Sequence, residues 1–239
     1  MSQEKFKNTN YILILFIILF TQCGSNTDET ELEEYFFGVN IVEIVKLKPE
    51  EYRGIPTENY NNCFTENFSD NANNWQLETN SKITISIKSD FLYIYTGTGN
   101  WFIWNKFLTA TFDRNFEINA KIRFKNISKS GTPVGIVWGL KNTTSLNCNC
   151  FLIYGSDFIT GKYDNDEFTN YTSGAFQRPD YTQPVILTIR KYGTFLYYFV
   201  NSELVSSFEY KTYFGDNIGF FVSEDNTIEI DWLRVDYIK

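Results

Sequence analysis

The sequence predicts an all-β protein built as a two-sheet antiparallel sandwich of the jelly-roll type. Aromatic residues make up 18% of the 239 residues, with 23 Phe and 16 Tyr against one Met, and such side chains favour the half-buried surface of strands. Short apolar runs alternate with polar residues and are separated by clusters of Asn, Asp, Gly and Ser, a pattern typical of strands joined by turns. No segment keeps a sustained 3.6-residue period, so one sandwich without helical crossovers is expected.

The N-terminus has the organisation of a signal peptide. Lys5 and Lys7 precede an unbroken apolar run over residues 11–20. Ten helical residues rise only about 15 Å, half the thickness of a bilayer core, so the run predicts a cleaved leader rather than a membrane-spanning helix.

The end of this leader resembles the lipobox of bacterial lipoproteins. Phe20, Thr21 and Gln22 precede Cys23, and in a lipobox the cysteine receives a lipid before signal peptidase II cuts in front of it. Gln22 departs from the small residue usual at that position. The resemblance implies a signal peptide at 1–22, a lipid anchor on Cys23 and a place in the cell envelope, at the outer membrane or cell surface. The alternative is an ordinary signal peptide in which Cys23 is incidental.

A tether is predicted between Cys23 and the folded domain, over residues 23–62. Residues 24–34 are polar and acidic, so they have little apolar surface to bury. Acidic residues behind a lipidated cysteine also resemble the surface-export signals of Bacteroidota lipoproteins, while a plain linker explains them equally well. The pattern over residues 35–62 is ambiguous, since residues 36–45 fit either a strand packed on the domain or part of the stalk, and the sequence leaves this open.

Regular strand signals begin near residue 64. Ile83, Ile85 and Ile87 alternate with polar residues, and residues 116–124 alternate cleanly, as half-buried strands do. Gly193 and the pair Asn201 and Ser202 predict tight turns between neighbouring antiparallel strands. Further strands are predicted around residues 91–95, 101–105, 135–140, 150–154, 158–163, 185–191, 195–200, 204–208, 218–222 and 228–235.

Composition excludes several function classes. The chain contains no His, which removes catalysis by Ser-His-Asp or Cys-His pairs and metal sites built on imidazole. Its formal charge is -8, and it has no clustered Lys/Arg footprint, so nucleic acid is not expected as a partner. Contact with a membrane is expected through the lipid anchor only.

From residue 63 to 239 the order of motifs is similar to the concanavalin A-like, laminin-G-like jelly-roll domains of secreted bacterial proteins. Relatives of this kind include sugar-binding modules, adhesive domains and 3-keto-disaccharide hydrolase-like domains. The resemblance therefore implies this fold and leaves the activity open. It is carried by residues 67–75, 116–122, 135–139, 161–163, 187–191, 198–205, 214–220 and 228–235.

The best catalytic candidate is the segment from Glu229 to Arg234. The concanavalin-like fold also hosts family-sixteen glycoside hydrolases, which carry a Glu-x-Asp-x-x-Glu strand. Here Glu229 and Asp231 are present, but Arg234 replaces the second Glu, so the pair of carboxyls that retaining hydrolysis requires is missing. We therefore predict no catalytic residue, and a carboxylate-based glycoside or keto-glycoside hydrolase remains the alternative.

No cofactor is expected, with calcium as the alternative. Asp157, Asp164, Asp166 and Glu167 could gather around Ca²⁺, which takes several oxygen ligands. The chain has no Asp-x-Asp-x-Asp-Gly loop, so solvated charges at hairpin tips explain the cluster better.

Glycan binding is the function that the sequence favours. Sugar sites combine exposed aromatic rings with amides and carboxylates. Trp101 and Trp104 are an odd number of positions apart, so they lie on opposite faces of one strand. Aromatic residues also crowd the polar stretch 157–181, which reads as a loop; these rings either contact a ligand or cover a hydrophobic flank. The predicted binding residues are Trp101, Trp104, Tyr163, Phe168 and Tyr171, whereas Trp75, Trp138 and Trp232 are expected to pack in the core or at a sheet edge.

Three cysteines remain besides Cys23, in a compartment that permits disulfides. Cys148 and Cys150 would sit two strand steps apart with parallel side chains, which makes them poor partners for each other. A bridge from Cys63 to one of them is the expected pairing. Taken together, the sequence predicts an exported lipoprotein whose non-catalytic jelly roll binds a glycan or an envelope protein; a structural accessory subunit is a further alternative.

Overall fold

A computed structural model describes residues 54–105, 110–127, 132–141, 145–210 and 213–239. They belong to a compact unit that spans Pro49–Lys239. The predicted signal peptide, Cys23 and most of the predicted tether lie outside the described residues. No helix within the described ranges has the length and apolar character needed to cross a membrane.

The described chain is nearly all strand, as the sequence predicts. A 3-10 turn at Thr57–Asn59 leads into the first strand. The strands are β1 (Tyr60–Glu66), β2 (Glu78–Thr79), β3 (Ile83–Lys88), β4 (Phe91–Thr96), β5 (Trp101–Asn105), β6 (Phe116–Ile127), β7 (Val134–Leu140), β8 (Cys148–Tyr154), β9 (Asp157–Asp164), β10 (Glu167–Ala175), β11 (Val185–Tyr192), β12 (Phe195–Val200), β13 (Glu203–Glu209), β14 (Asn217–Val222) and β15 (Asn226–Ile238).

The strands form two antiparallel sheets. The large sheet has the order β13-β12-β11-β6-β15-β4-β3-β2, and β1 also pairs with β15. This is possible because β15 has 13 residues: its first half pairs with β4 and its second half with β1. The small sheet has the order β10-β9-β8-β7-β14-β5. Sequence neighbours such as β14 and β15 lie in different sheets, so the architecture is the predicted jelly-roll sandwich.

The main core lies between the two sheets. Strand β6 sends Phe116, Ile118 and Ile122 inward, and β7 sends Ile136 and Trp138 inward to meet them. The ring of Trp138 is fully buried, 5.3 Å from that of Phe116. Trp75 is buried as well, so both residues pack as predicted. Trp232 pairs with Lys121 on the outer face of the large sheet and is half-buried.

The predicted tight turns are present. Gly193 has φ 61, and Asn201 and Ser202 have φ 48 and 69, so both turns use the left-handed region that short hairpins require. Within the second turn, the Asn201 backbone N–H donates to the Ile186 carbonyl oxygen at 2.8 Å. These hairpins fix the register of β11, β12 and β13.

A buried carboxylate closes the end of the core next to β1. Glu66 is 4% exposed and accepts three hydrogen bonds: from the Phe68 N–H at 2.8 Å, from Asn73 Nδ2 at 2.7 Å and from Trp75 Nε1 at 2.9 Å. Burying a carboxylate is costly unless its oxygens are satisfied, and here each oxygen has at least one donor. Glu66 thereby holds the loop 67–75 over the core.

Two elements differ from the prediction. Within the stretch 157–181, which the sequence predicts as a loop, Glu167–Ala175 form β10, whose residues are all exposed or half-exposed. An edge strand that is solvated on both faces shows no apolar alternation, so its sequence resembles that of a loop. In addition, β1 begins at Tyr60, before the predicted domain start at residue 63. The pairing of Tyr60 with Ile238 makes this segment part of the sheet rather than of a tether.

Candidate functional site

The outer face of the small sheet, turned away from the main core, is strongly concave. Phe102 on β5 and Tyr163 on β9 lie on this face, four strand spacings apart, which is about 19 Å in a flat sheet. Their ring centroids are nevertheless 5.2 Å apart. The sheet must therefore curl so that side chains from strands near its two opposite edges meet on the same face. We call this surface the concave face.

Two glycines allow this curvature. A Cβ on Gly135 of β7 would lie 2.0 Å from the Phe151 carbonyl oxygen, and a Cβ on Gly219 of β14 would lie 2.0 Å from the Ile103 carbonyl oxygen. No side chain fits at such distances, so both positions require glycine for the close approach of neighbouring strands.

The floor of the concave face is a second, smaller apolar cluster. Val137, Cys150, Leu152 and Phe221 are 0–3% exposed, although they point away from the main core. Burial raises the pKa of the Cys148 thiol to about 12 and raises that of Cys150 as well. These thiols are therefore neutral and act as small apolar side chains.

Aromatic rings form the upper layer of the concave face. The ring of Phe102 packs 4.9 Å from Phe221 and reaches Tyr163, whose ring lies 5.0 Å from that of Phe168. Trp104 also packs against the floor cluster. Phe168 is 43% exposed, while Phe102, Trp104 and Tyr163 are half-buried. The result is a continuous aromatic surface that is partly open to solvent.

Two polar groups of these rings have unusual environments. The indole Nε1 of Trp104 is buried and has no hydrogen-bond partner within the described part of the chain, and such donors are uncommon in native structures. Burial also raises the pKa of the Tyr163 hydroxyl, so this group stays protonated. The Tyr163 hydroxyl can donate a hydrogen bond to an oxygen of a ligand, whereas the Trp104 Nε1 is shielded from solvent.

A rigid polar rim stands beside Tyr163 and Phe168. Asp166 in the turn between β9 and β10 accepts a hydrogen bond from the Leu146 N–H at 2.8 Å and returns its own N–H to the Leu146 carbonyl oxygen at 3.1 Å. The Asn165 N–H donates to Asn147 Oδ1 at 3.0 Å. These bonds fix the turn, and on the adjacent edge the exposed Asn170 offers an amide.

The structure brings together three of the five predicted binding residues. Trp104, Tyr163 and Phe168 share the concave face. Trp101 lies on the opposite face of β5, packs against the main core and donates its Nε1–H to the Thr98 carbonyl oxygen at 3.0 Å, so the two tryptophans do lie on opposite faces. Tyr171 turns toward the large sheet, with its ring 5.2 Å from that of Phe208. Sequence reasoning missed Phe102 and Phe221 on the concave face.

The carboxylates of the predicted catalytic candidate are engaged in ion pairs on the outer face of the large sheet. Glu229 lies 3.0 Å from Lys125, and Asp231 lies 2.8 Å from Lys121. Arg234 is paired with Asp236. Each of these carboxylates is paired with a cation on the solvent-facing side of the sheet, so the pairs stabilise the sheet surface rather than form a catalytic pair.

A different pair of carboxylates escaped sequence reasoning. Glu117 and Asp236 are directly opposite each other on β6 and β15 and are almost fully buried. Donors occupy both oxygens of each: Arg190, Tyr60 and Asn119 donate to Glu117, and Arg234 and Asn62 donate to Asp236. Because these oxygens are satisfied, the pair ties β1, β15, β6 and β11 together.

The residues named for calcium do not converge. Asp157 begins β9 and Asp164 ends it, which separates them by about 23 Å of strand. Within the described ranges no group of three or more His, Cys, Asp or Glu side chains could hold a metal ion.

The disulfide expected from Cys63 to Cys148 or Cys150 is not formed, and all three are free thiols. Cys63 lies on β1 of the large sheet and packs against the main core, whereas Cys148 and Cys150 lie on the concave face of the small sheet. The core between the two sheets separates them, which the spacing of cysteines in the sequence does not reveal.

Solved structures share this fold. A Bacillus subtilis protein of unknown function with a galectin-like fold is 12% identical, with a TM-score of 0.57 over 75% of this chain and 100% of that one. The carbohydrate recognition domain of Emp46p in its potassium-bound form is 13% identical, with a TM-score of 0.54 over 74% and 97%. The catalytic domain of an endo-1,3-beta-glucanase (laminarinase) from Thermotoga petrophila is 11% identical, with a TM-score of 0.51 over 75% and 98%. No protein-family model and no curated protein sequence matches the chain. The chain therefore has a concanavalin A-like jelly-roll fold, which is found in both binding and catalytic domains.

Proposed function

We propose that this protein is a non-catalytic glycan-binding module and that the concave face is its binding site. The carrying observation is the aromatic layer of Phe102, Trp104, Tyr163 and Phe168, which is partly open to solvent and bordered by a fixed polar rim. Rings of this kind stack on the apolar faces of sugars, while the rim groups and the Tyr163 hydroxyl bond to sugar hydroxyls. A carbohydrate recognition domain among the similar structures supports the same function.

The absence of catalysis is also part of the proposal. A retaining glycosidase needs two carboxyls about 5 to 5.5 Å apart facing the substrate. The aromatic layer is built from Phe, Trp and Tyr, and the rim carboxylate of Asp166 is held by the Leu146 N–H. Four other carboxylates are held by cations on the other sheet: Glu229, Asp231, Glu117 and Asp236.

A glycan-array screen of the full-length chain tests this function. We expect Phe168→Ala to weaken retention of any bound glycan about tenfold, because the stacking of its ring on a sugar is worth roughly 1 kcal/mol or more. The unfolding midpoint should change little, since Phe168 is 43% exposed and packs only at the edge of the aromatic layer, against Tyr163. Leu77→Ala is the matched control, since Leu77 is 45% exposed and immediately precedes β2 at the edge of the large sheet. Equal losses in the two variants, or no loss in Phe168→Ala, would contradict the site. Release of reducing sugar from a retained glycan would contradict the non-catalytic role.

We further propose that the domain is exported and anchored through a lipid on Cys23. The apolar run at 11–20 and the lipobox-like residues before Cys23 support this proposal. Metabolic labelling with a radioactive fatty acid should mark the protein, and Cys23→Ser should abolish the label and move the protein from the membrane to the soluble fraction. Labelling that persists in Cys23→Ser would refute the anchor. If no glycan on the array is retained, a cell-envelope protein becomes the favoured partner.

A further inference from the structure

The outer face of the large sheet carries a row of three aromatic side chains along β4. Phe91, Tyr93 and Tyr95 alternate with the buried Leu92 and Ile94. None of the three packs against either apolar cluster. At about 3.3 Å per residue the row extends over about 13 Å, which is longer than one sugar ring.

Tyr95 is the most accessible member of the row, at 40% exposed. Its hydroxyl lies over Gly97, where a Cβ would approach it to 3.1 Å, so the ring runs along the sheet surface. Its register partners are Thr84 on β3 and Thr227 on β15. One ring is therefore flanked by a hydroxyl on each side, an arrangement that suits a sugar lying on the ring.

Cations cross the other two rings. Lys88 Nζ lies 3.2 Å from the ring centroid of Tyr93, and the Arg123 guanidinium lies 4.5 Å from that of Phe91. Lys88 is exposed and has no carboxylate within ion-pair distance among the described residues. It can therefore leave the ring of Tyr93 and pair with an anion on a ligand.

The face has a surplus of positive charge in an acidic protein. On the strands, Lys88, Lys121, Arg123 and Lys125 stand against Glu229 and Asp231, which leaves two cations in excess. The turns at the ends of these strands add one cation, Lys82, and three carboxylates, Asp90, Glu224 and Asp225, so the excess of positive charge is confined to the strand surface around the aromatic row. The whole chain has a formal charge of -8. An excess of cations beside aromatic rings is complementary to a ligand that is both sugar-like and anionic.

We propose that this face, defined by Phe91, Tyr93, Tyr95, Lys88 and Arg123, is a second binding site that takes acidic polysaccharides. The sugar rings stack along the aromatic row, and their carboxylate or sulfate groups pair with Lys88 and Arg123. This site is distinct from the concave face and does not depend on it. The alternative is that the cations simply cover apolar rings with their aliphatic stems, in which case no ligand binds.

Affinity electrophoresis of the full-length chain against polygalacturonate and heparin tests the proposal, with fully methyl-esterified polygalacturonate as the uncharged comparison. We expect retention on at least one acidic polymer, weakening as salt is raised, and little retention on the ester. Lys88→Glu and Tyr95→Ala should each weaken retention at least tenfold. Lys141→Glu, an exposed residue at the end of β7, changes the net charge equally and should have little effect, as should Phe168→Ala on the concave face.

Several results would overturn the proposal: no retention on either acidic polymer, equal retention on the ester, or equal losses in Lys88→Glu and Lys141→Glu. Retention that is lost in Phe168→Ala but kept in Tyr95→Ala would assign the acidic glycan to the concave face instead. If the protein bound phosphatidylglycerol vesicles but neither polymer, and Lys88→Glu abolished that binding, the ligand of this face would be a lipid surface and not a polysaccharide. Urea unfolding midpoints equal to that of the parent protein establish that the variants are folded.

Discussion

Replacing Glu66 tests how strongly a single buried carboxylate holds the loop 67–75 over the core. Its Oε1 accepts the Phe68 N–H, and its Oε2 accepts Trp75 Nε1 and Asn73 Nδ2. Phe68 is 0% and Trp75 2% exposed, so water cannot replace the carboxylate as their acceptor. The cost of each substitution follows from which donors are left without a partner.

Glu66→Gln keeps the shape of the side chain but turns one acceptor oxygen into a donor. The amide loses least by turning its NH₂ toward the Phe68 N–H, since that side has one donor and the other has two. An orphaned buried N–H costs about 1–3 kcal/mol, and the two bonds that remain lose their ionic character. We expect the free energy of unfolding to fall by about 3 kcal/mol. Glu66→Ala orphans both buried donors and leaves a void, so its cost should be about 5 kcal/mol.

Urea unfolding followed by tryptophan fluorescence measures both losses, with the slope against urea expected to stay constant. Glu209→Gln, at an exposed position on β13, serves as the control and should change the free energy by no more than about 0.5 kcal/mol. A loss below about 1 kcal/mol for Glu66→Gln, or a smaller loss for the Ala variant than for the Gln variant, would refute the reasoning.

Three further predictions follow from the packing. Gly135→Ala should lower the free energy of unfolding in urea by about 3 kcal/mol because the new Cβ meets the Phe151 carbonyl oxygen. Gly155→Ala, which has open space around it and φ 58, should lower it by only about 1 kcal/mol. Equal losses in the two variants would contradict the close approach of the strands at Gly135. Burial, with Glu117 as the next cause, raises the pKa of Tyr60 from 10.0 to about 12. Because the unfolded chain then releases its proton first, stability should be fully present below pH 10 and fall between pH 10 and about 12. Tyr60→Phe should make that fall shallower, and an unchanged slope would rule out this contribution. Cys63 should react with a thiol reagent before Cys148 and Cys150, because burial raises the pKa of Cys148 to about 12 and also raises the pKa of Cys150. Simultaneous labelling of all three thiols in the native protein would contradict the buried floor of the concave face.

Much of the strand pattern could be predicted from the sequence because alternation is a local property. The segments 101–105 and 195–200 match β5 and β12 residue for residue, and most other strands differ by one or two residues at an end. Strand β10 was missed because both of its faces are solvated. Strands β1 and β2 were missed because their segments are short or mostly polar.

The binding face was predicted in part. Alternation placed Trp101 and Trp104 on opposite faces of β5 but could not say which face was the core. A signal for the second apolar cluster was present in β7, whose seven residues are all buried, since a continuous apolar run indicates burial on both faces. Phe102 and Phe221 belong to that cluster and could have been found in this way.

The sequence by itself therefore determined which segments are strands, where they turn and which side chains share a strand face, because these depend on neighbours along the chain. The tertiary structure decided that Phe102 meets Tyr163, that Glu117 faces Asp236 and that Cys63 is far from Cys150. These relations depend on strand pairing between distant segments and on the curvature of the sheet. Both are fixed by packing against the whole core, which local sequence patterns do not encode.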